Sequence, residues 1–439
     1  MSGLQRAFAE GSRHAAGNKS MALPRVAVVH APHGSAHLSD IERSASGLCR
    51  PVLLFTEEAA EAHPGVVNAA DRRFPVAVAG AGRLVATAAA LGLDGVTTFH
   101  DAHVDDADTV ARALGLPGAP ATSSPWDKLR QRATLWKAGL TDVRCRRVDS
   151  RQDFDRAVEE LPPPCVLKPR RGAGGSGIAF LRDAEDVRHQ RTTRTHWRGL
   201  TLETVLRRGA HPVRPDWLAD FVSVETVSGE ADHETVAVFD KLPVEVSPHA
   251  GPDGADAVGV TGDVLPSQLP RDGEEQVRAY VRACLGALGV RWRVTHTEVR
   301  VTPEGPDLIE INGRVGGHLD RLLRLVGGPD LLRSAFLVAL GSCPPHAAPD
   351  SPHDCVMGYF PPFPERAGAV RSQVTADDLL SLDGVCAVEE VAAAGEAREA
   401  TGYRMANLML RADTPEVLRR RSSEAARAVR HLFAADTGG

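Results

Sequence analysis

Lysine is nearly absent from this chain of 439 residues: Lys and Arg together number 51, yet lysine stands only at Lys19, Lys128, Lys137, Lys168 and Lys241. Arginine serves wherever a generic positive charge is enough, so each lysine stands out as a compact ammonium suited to one phosphate oxygen in a crowded site. Lys19 falls in a tail and Lys137 on a helix face, where both read as surface charges. No apolar run approaches the ~20 residues that span a bilayer, and residues 1–20 lack the apolar centre of a secretion signal. A positive excess is missing too: a net charge of −6, with arginines interleaved among acids, argues against nucleic acid as a partner. The seven cysteines, Cys49, Cys145, Cys165, Cys284, Cys343, Cys355 and Cys386, show no C-x-x-C spacing and an odd total. Reduced thiols in the cytoplasm account for them more simply than a disulfide framework.

What is present begins with residues 294–317, two β-branched runs joined by Pro303-Glu304-Gly305-Pro306. That pattern is a β-hairpin. With its tip centred on Glu304, antiparallel pairing sets Glu298 opposite Glu310 and His296 opposite Asn312. Facing residues have Cβ atoms about 5 Å apart, where like charges repel. Two carboxylates and an amide oxygen on one face therefore ask for a cation, and oxygen-only donors suit Mg²⁺ or Mn²⁺ better than zinc. Arg314 follows Asn312 by the same two-residue step, and a metal beside a guanidinium equips a site for phosphate. The plainer alternative is a hairpin with glutamates on a solvated face.

A second element weakens that alternative. In Cys165-Val-Leu-Lys-Pro-Arg-Arg-Gly-Ala-Gly-Gly-Ser-Gly-Ile, a short apolar strand carries Lys168 and a loop with Gly174, Gly175, Ser176 and Gly177 leads into the apolar stretch Ile178 to Leu181. Glycines let backbone N–H groups wrap an anion with no Cβ in the way. Gly172, Gly174 and Gly177 spell G-x-G-x-x-G, but helix signals begin only at Asp183 to Val187, and no Lys-Ser or Lys-Thr closes the run. Neither a dinucleotide fingerprint nor a P-loop fits, and a strand-loop-strand flap over a nucleotide does. A plain glycine-rich turn is the other reading.

With these motifs quoted, the order of elements resembles the ATP-grasp superfamily, most closely its carboxylate-amine ligases of the L-amino acid ligase type, from about Pro24 to Phe433. The most specific part is His296-Thr-Glu298 followed by Ile-Glu310-Ile-Asn312-Gly-Arg314-Val-Gly316-Gly317. The resemblance implies that Glu298, Glu310 and Asn312 hold Mg²⁺, that Arg314 steadies an acyl-phosphate, and that Lys128, Lys168 and the Gly174–Gly177 loop contact ATP phosphates. It further implies that Lys241 lies close to the reaction centre and that His296 and the Gly316-Gly317 backbone line an amino acid pocket. The family's acidic hinge pattern is replaced here by Arg214-Pro-Asp-Trp-Leu-Ala-Asp-Phe221, so Asp216, Asp220 or Glu225 is left to hold adenine and ribose.

The fold expected is α/β and α+β multidomain, an ATP-grasp fold with an N-terminal open parallel α/β domain and a C-terminal α+β domain. Residues 1–20 read as a disordered tail and 21–119 as a Rossmann-like domain, whose strands Val26–Val29, Val52–Phe55, Val76–Val78 and Val96–Phe99 alternate with Ala-rich helices. Residues 120–216 form a small lobe with the flap and 217–342 a large lobe with the metal hairpin. Residues 343–439 form the last domain, entered through a Pro-rich linker at 343–352. Residues 188–215, rich in Arg and Thr, read as a mobile connection, and 247–262 as a pocket cover or a disordered insertion. The activity implied is ATP-dependent joining of a small-molecule carboxylate to an amine, often by a homodimer. Alternatives are an ATP-grasp enzyme using bicarbonate or formate, or a non-catalytic ATP-binding regulator.

Overall fold

The computed structural model describes residues 22–119, 124–172, 174–207, 209–342, 355–363, 368–369, 373–395, 397–398 and 404–434. The tail at 1–20 with Lys19, and the linker at 343–352 with Cys343, lie outside the described residues. The first sheet is built from β1 (Arg25–Val29), β2 (Arg50–Thr56), β3 (Val76–Ala79) and β4 (Gly95–Thr98) in the order β3-β2-β1-β4, all parallel. Its apolar strands are sandwiched by Ala-rich helices, which explains runs such as Val26–Val29 that are buried on both faces.

The second sheet contains β5 (Cys145–Val148), β6 (Cys165–Pro169), β7 (Ala179–Leu181) and β8 (Leu200–Thr204) in the order β5-β8-β6-β7. The flap is the β6–β7 pair, in the register Cys165↔Leu181. The expectation of a mobile connection over 188–215 is corrected here. Its first part closes the helix Ala184–Thr193, capped by Asp183, and its middle is β8, an inner strand with Leu200 and Leu202 in the core. The flanking Arg and Thr residues and the polar but buried Thr201 and Glu203 hid a strand whose alternate positions are apolar.

The third sheet has eight strands. β9 (Phe221–Ser228), β10 (His233–Lys241), β13 (Asp263–Leu265), β14 (Arg293–Thr302) and β15 (Gly305–Asn312) come from the large lobe. β16 (Val356–Phe360), β18 (Val385–Glu389) and β20 (Asn407–Ala412) come from the C-terminal segment, and the order is β15-β14-β9-β10-β13-β16-β20-β18. The last segment therefore extends the large lobe's sheet, and the helix Pro415–Ala434 packs on β16 and β20. Two small pairs complete the set: β11 (Glu245–Ser247) with β12 (Ala257–Gly259), and β17 (Gly368–Ala369) with β19 (Ala397–Arg398). Residues 247–262, far from being a disordered insertion, are folded around the β11–β12 pair. Among the described residues no helix is long and apolar enough to cross a membrane, and six cysteines are free thiols.

Candidate active site

The hairpin sets the geometry. β14 and β15 pair with His296 opposite Asn312 and Glu298 opposite Glu310, the register read from the sequence. Near the tip the pairing is Thr302↔Gly305, one residue out of step, and a bulge between Glu298 and Val299 restores it. Ile309 is the extra residue, and without it every side chain of β15 beyond the tip would exchange faces.

β15 is an edge strand, and the helix Lys128–Lys137 covers it. Lys128, Gln131 and Arg132 stand at i, i+3 and i+4 on one buried face. Gln131 donates to the Ile311 carbonyl at 2.7 Å and accepts from the Ile311 N–H at 3.2 Å. Arg132 donates to the carbonyls of Leu308 at 2.6 Å and of the bulged Ile309 at 3.1 Å. The edge is thereby closed to any other strand. Arg132 and Lys168 both reach Glu203 Oε2 of β8, each at 2.9 Å. Burial works against the charge on all three; Glu203 is held below the usual carboxylate range by the two cations, while Lys168 is left lowered.

Lys128 joins hairpin to flap. Its Nζ is 3.0 Å from Glu310 Oε2 and donates to the Gly172 carbonyl at 2.8 Å. Asn312 Nδ2 donates to Glu310 Oε1 at 3.0 Å, which leaves the amide oxygen without a partner among the described residues. Burial pushes the Glu310 carboxyl up, yet Lys128, Asn312 and Lys168 prevail and pull it down to about 2. Glu298, 3.5 Å from His296 Nε2, is also lowered, against burial and Glu310, chiefly by His296 and then Lys241. Both carboxylates are therefore charged, close together, and equipped for a cation. No group of three or more His, Cys, Asp or Glu able to hold a metal is assembled among the described residues; two carboxylates and an amide form a set of a different kind, suited to a hard ion.

Around this pair, His296 Nδ1 hydrogen-bonds Glu225 Oε1 at 2.6 Å, and Glu225 Oε2 accepts from the Gly316 N–H at 3.0 Å. Burial opposes the charge on His296, but Glu225 and Glu298 push it up to about 9. Glu225 is fully buried, with both oxygens engaged in supporting His296 and the Gly316 N–H. Asp216 and Asp220 are engaged likewise: Asp216 pairs with Arg419 on the surface, and Asp220 with Arg300. A Cβ at Gly316 would stand 2.6 Å from His296 Nδ1 and 2.7 Å from Glu225 Oε1, so only glycine fits, whereas Gly317 has open space.

Lys241, at the end of β10, is bound by Asp263 of β13 at 2.6 Å. Burial opposes its charge, but Asp263 and then Glu298 keep it raised. Arg314 donates through Nε to Asp101 Oδ2 at 2.9 Å and through Nη1 to the Val315 carbonyl at 2.9 Å, within electrostatic reach of Glu225 and Glu310. Asp101 lies just beyond β4 of the first sheet, so three segments far apart in sequence meet here.

The flap tip is open: Gly174 and Ser176 are exposed, and Gly174, Gly175 and Gly177 have φ of +67°, +76° and +74°. A Cβ on Gly175 would meet Val258 Cβ of β12 at 2.7 Å. The β11–β12 segment straps the flap from outside. Asp256 accepts from the N–H of Phe180 at 3.0 Å, of His249 at 2.9 Å, and from Arg182 at 3.0 Å, and its own N–H donates to the Ile178 carbonyl at 2.8 Å.

The fold matches known structures. The L-amino acid ligase from Bacillus licheniformis superposes with a TM-score of 0.68 at 16% identity, covering 92% of this chain and 97% of that one. An N5-carboxyaminoimidazole ribonucleotide synthetase bound to ADP gives 0.66 at 14% identity over 95% and 98%. The chain has the ATP-grasp fold. Carnosine synthase 1 of Mus musculus is 30% identical over 285 residues, 62% of this ATP-grasp chain but 33% of its own length. The alanine–anticapsin ligase of Bacillus subtilis (strain 168) is 24% identical over 254 residues, 54% of this chain and 51% of its own. The chain thus spans about a third to a half of the curated relatives it matches. No family model matches the sequence.

Sequence reasoning brought Glu298, Glu310, Asn312, Lys128 and His296 to one place. It missed Asp101, Gln131, Arg132, Glu203, Asp256 and Asp263, the groups that hold those residues in position. Only Gln131 and Arg132 carried a signal, polar residues at helical spacing from Lys128.

Proposed function

We propose that the chain is an ATP-dependent carboxylate-amine ligase, joining an amino acid or related acid to an amine or amino acid through an acyl-phosphate. The observation that carries this reading is the meeting of Glu298, Glu310 and Asn312 on one hairpin face, beside Lys128 at the mouth of the flap. The names of the relatives, carnosine synthase and alanine–anticapsin ligase, support amide formation as the outcome.

ATP would lie between the flap and the third sheet. Glu298, Glu310 and Asn312 would hold Mg²⁺, which when bound neutralises phosphate charge. Lys128 and Lys168 face the same phosphates, and binding there would draw Lys128 away from Glu310. A substrate carboxylate oxygen attacks the γ-phosphorus in line and ADP leaves. Arg314, held by Asp101, steadies the charge on the transferred group and on the acyl oxygen. The amine then attacks the acyl carbon, phosphate departs and a proton is released. The strapped flap excludes water, which would otherwise destroy the acyl-phosphate.

The test is phosphate release from purified protein with ATP, Mg²⁺ and pairs of amino acids, with products weighed by mass spectrometry. Release that requires amino acids supports ligation; release that requires bicarbonate or formate, or none at all, overturns it. A cytoplasmic setting accords with the free thiols. A homodimer is the assembly proposed; the dimeric biotin carboxylase domain of the Hydrogenobacter thermophilus 2-oxoglutarate carboxylase is a structural precedent.

A further inference from the structure

The first sheet reverses its strand order between β1 and β4, and the crevice at the carboxyl ends of those strands is where open α/β sheets take ligands. Here that crevice is furnished with imidazoles. His30 follows β1 directly and is 5% exposed, and its ring has no hydrogen-bond partner among the described residues. His100 follows β4; its Nδ1 accepts the Ala102 N–H at 3.1 Å, so Nε2 carries the ring proton and is free to donate. His33 stands at φ +63°, a conformation that costs a non-glycine residue energy. The loop holding it is fastened to the end of β4. Ser35 donates twice to the Phe99 carbonyl, at 2.7 and 3.1 Å, and Gly34 lies so close that a Cβ would be 2.6 Å from that oxygen.

The acids around this crevice are already engaged: Asp101 by Arg314, Asp105 by Arg171 and Ser124, Asp106 by His103. What remains unpaired is basic. Burial first, and then neighbouring His100 and His103, bring His30 down to about 4; His100 is lowered by burial, His103, Arg314 and His33. Both rings are therefore held neutral, and a neutral imidazole offers one N–H donor that a carboxylate beside the cationic Arg314 can accept from. Arg314 divides the space. Asn312 stands two residues before it on the hairpin, and Asp101, next to His100, holds its Nε at 2.9 Å.

We propose that His30, His33 and His100, beside the Asp101-held Arg314, form a subsite for the unreacting carboxylate of the substrate that supplies the amine, which makes that substrate an amino acid rather than a simple amine. This rests on the ligase reading above. The test is a panel of L-amino acids and their carboxamides as amine donors, read by phosphate release in wild type, His30→Asn and His100→Gln. Wild type should favour the acids by at least roughly tenfold in kcat/KM, the worth of about one charge-assisted hydrogen bond. Either variant should erase that preference while the KM for ATP stays within about twofold. His100 is half-buried, so its variant serves should His30→Asn fail to fold. Equal use of acids and carboxamides by wild type, or an undiminished preference in a folded variant, overturns the subsite. Absence of phosphate release with every amino acid overturns the ligase reading instead. Imidazole NMR signals during titration with L-alanine and with L-alaninamide then judge the subsite alone, shifts with alanine only supporting it and equal shifts or none refuting it.

Discussion

The hairpin and the flap are both strand-loop-strand units, yet they are built to opposite ends. Between Glu298 and Asn312 the hairpin is braced on each side: β9 pairs along β14, and Gln131 and Arg132 seal the edge of β15. The flap ends in exposed glycines, tied down by Asp256 and by Lys128 at its root. On the ligase reading, the groups that would meet a phosphorus atom at fixed distances are placed on paired strands. The part that on the same reading would let nucleotide in and out is left with few contacts to break at its tip.

Breaking the rigid side should have the largest effect. Glu310→Ala should lower phosphate release by about a thousandfold or more with the circular dichroism spectrum unchanged, because it removes a charged ligand from a cleft rather than a core group. Unimpaired release would refute the metal assignment. Arg314→Lys keeps the charge but loses the planar fork that spans Asp101 and the Val315 carbonyl, and should cost about a hundredfold in kcat, nearly as much as Arg314→Ala. Asp101→Asn keeps the shape and weakens the hold on Arg314, so a fall of about tenfold in kcat with little change in the KM for ATP is expected. Loosening the mobile side should act differently. Asp256→Asn should raise the KM for ATP a few-fold and speed amide exchange at Phe180 while leaving the hairpin's exchange untouched.

The smallest effect concerns pH. His30 titrates at about 4 folded against 6.5 when solvated, so the unfolded chain binds the extra proton first. Stability from a neutral His30 is complete above pH 6.5 and is lost as pH falls from 6.5 toward 4, by up to about 3 kcal/mol. Urea melts of His30→Asn should show a flatter acid limb than wild type, and parallel limbs would contradict this.

How far the sequence could be read follows the same division. Strand period 2 and a tip centred on Glu304 paired Glu298 with Glu310, a register the chain reaches through a tighter tip and the compensating bulge at Ile309, and lysine scarcity singled out Lys128. The pairings that span long sequence separations could not be read: Arg132 with Glu203, Lys241 with Asp263, Arg314 with Asp101. Nothing local marks such partners, since a buried carboxylate and a solvated one share one spelling. Composition misled outright over 188–215, where flanking Arg and Thr and the polar but buried Thr201 and Glu203 concealed the inner strand β8. The engagement of Glu225 with His296 was not legible either, because the two face each other from neighbouring strands 71 residues apart in sequence.

One consequence follows from the continuity of the eight-stranded sheet. β13, whose Asp263 grips Lys241, has β16 as its outer neighbour, with Asp263 opposite Tyr359. A truncation after residue 342 would strip that neighbour and leave a raw seam one strand away from the reaction centre. The tail end of the polypeptide is thus no detachable accessory, and minimal versions of this protein cut at the end of the large lobe should aggregate along that seam.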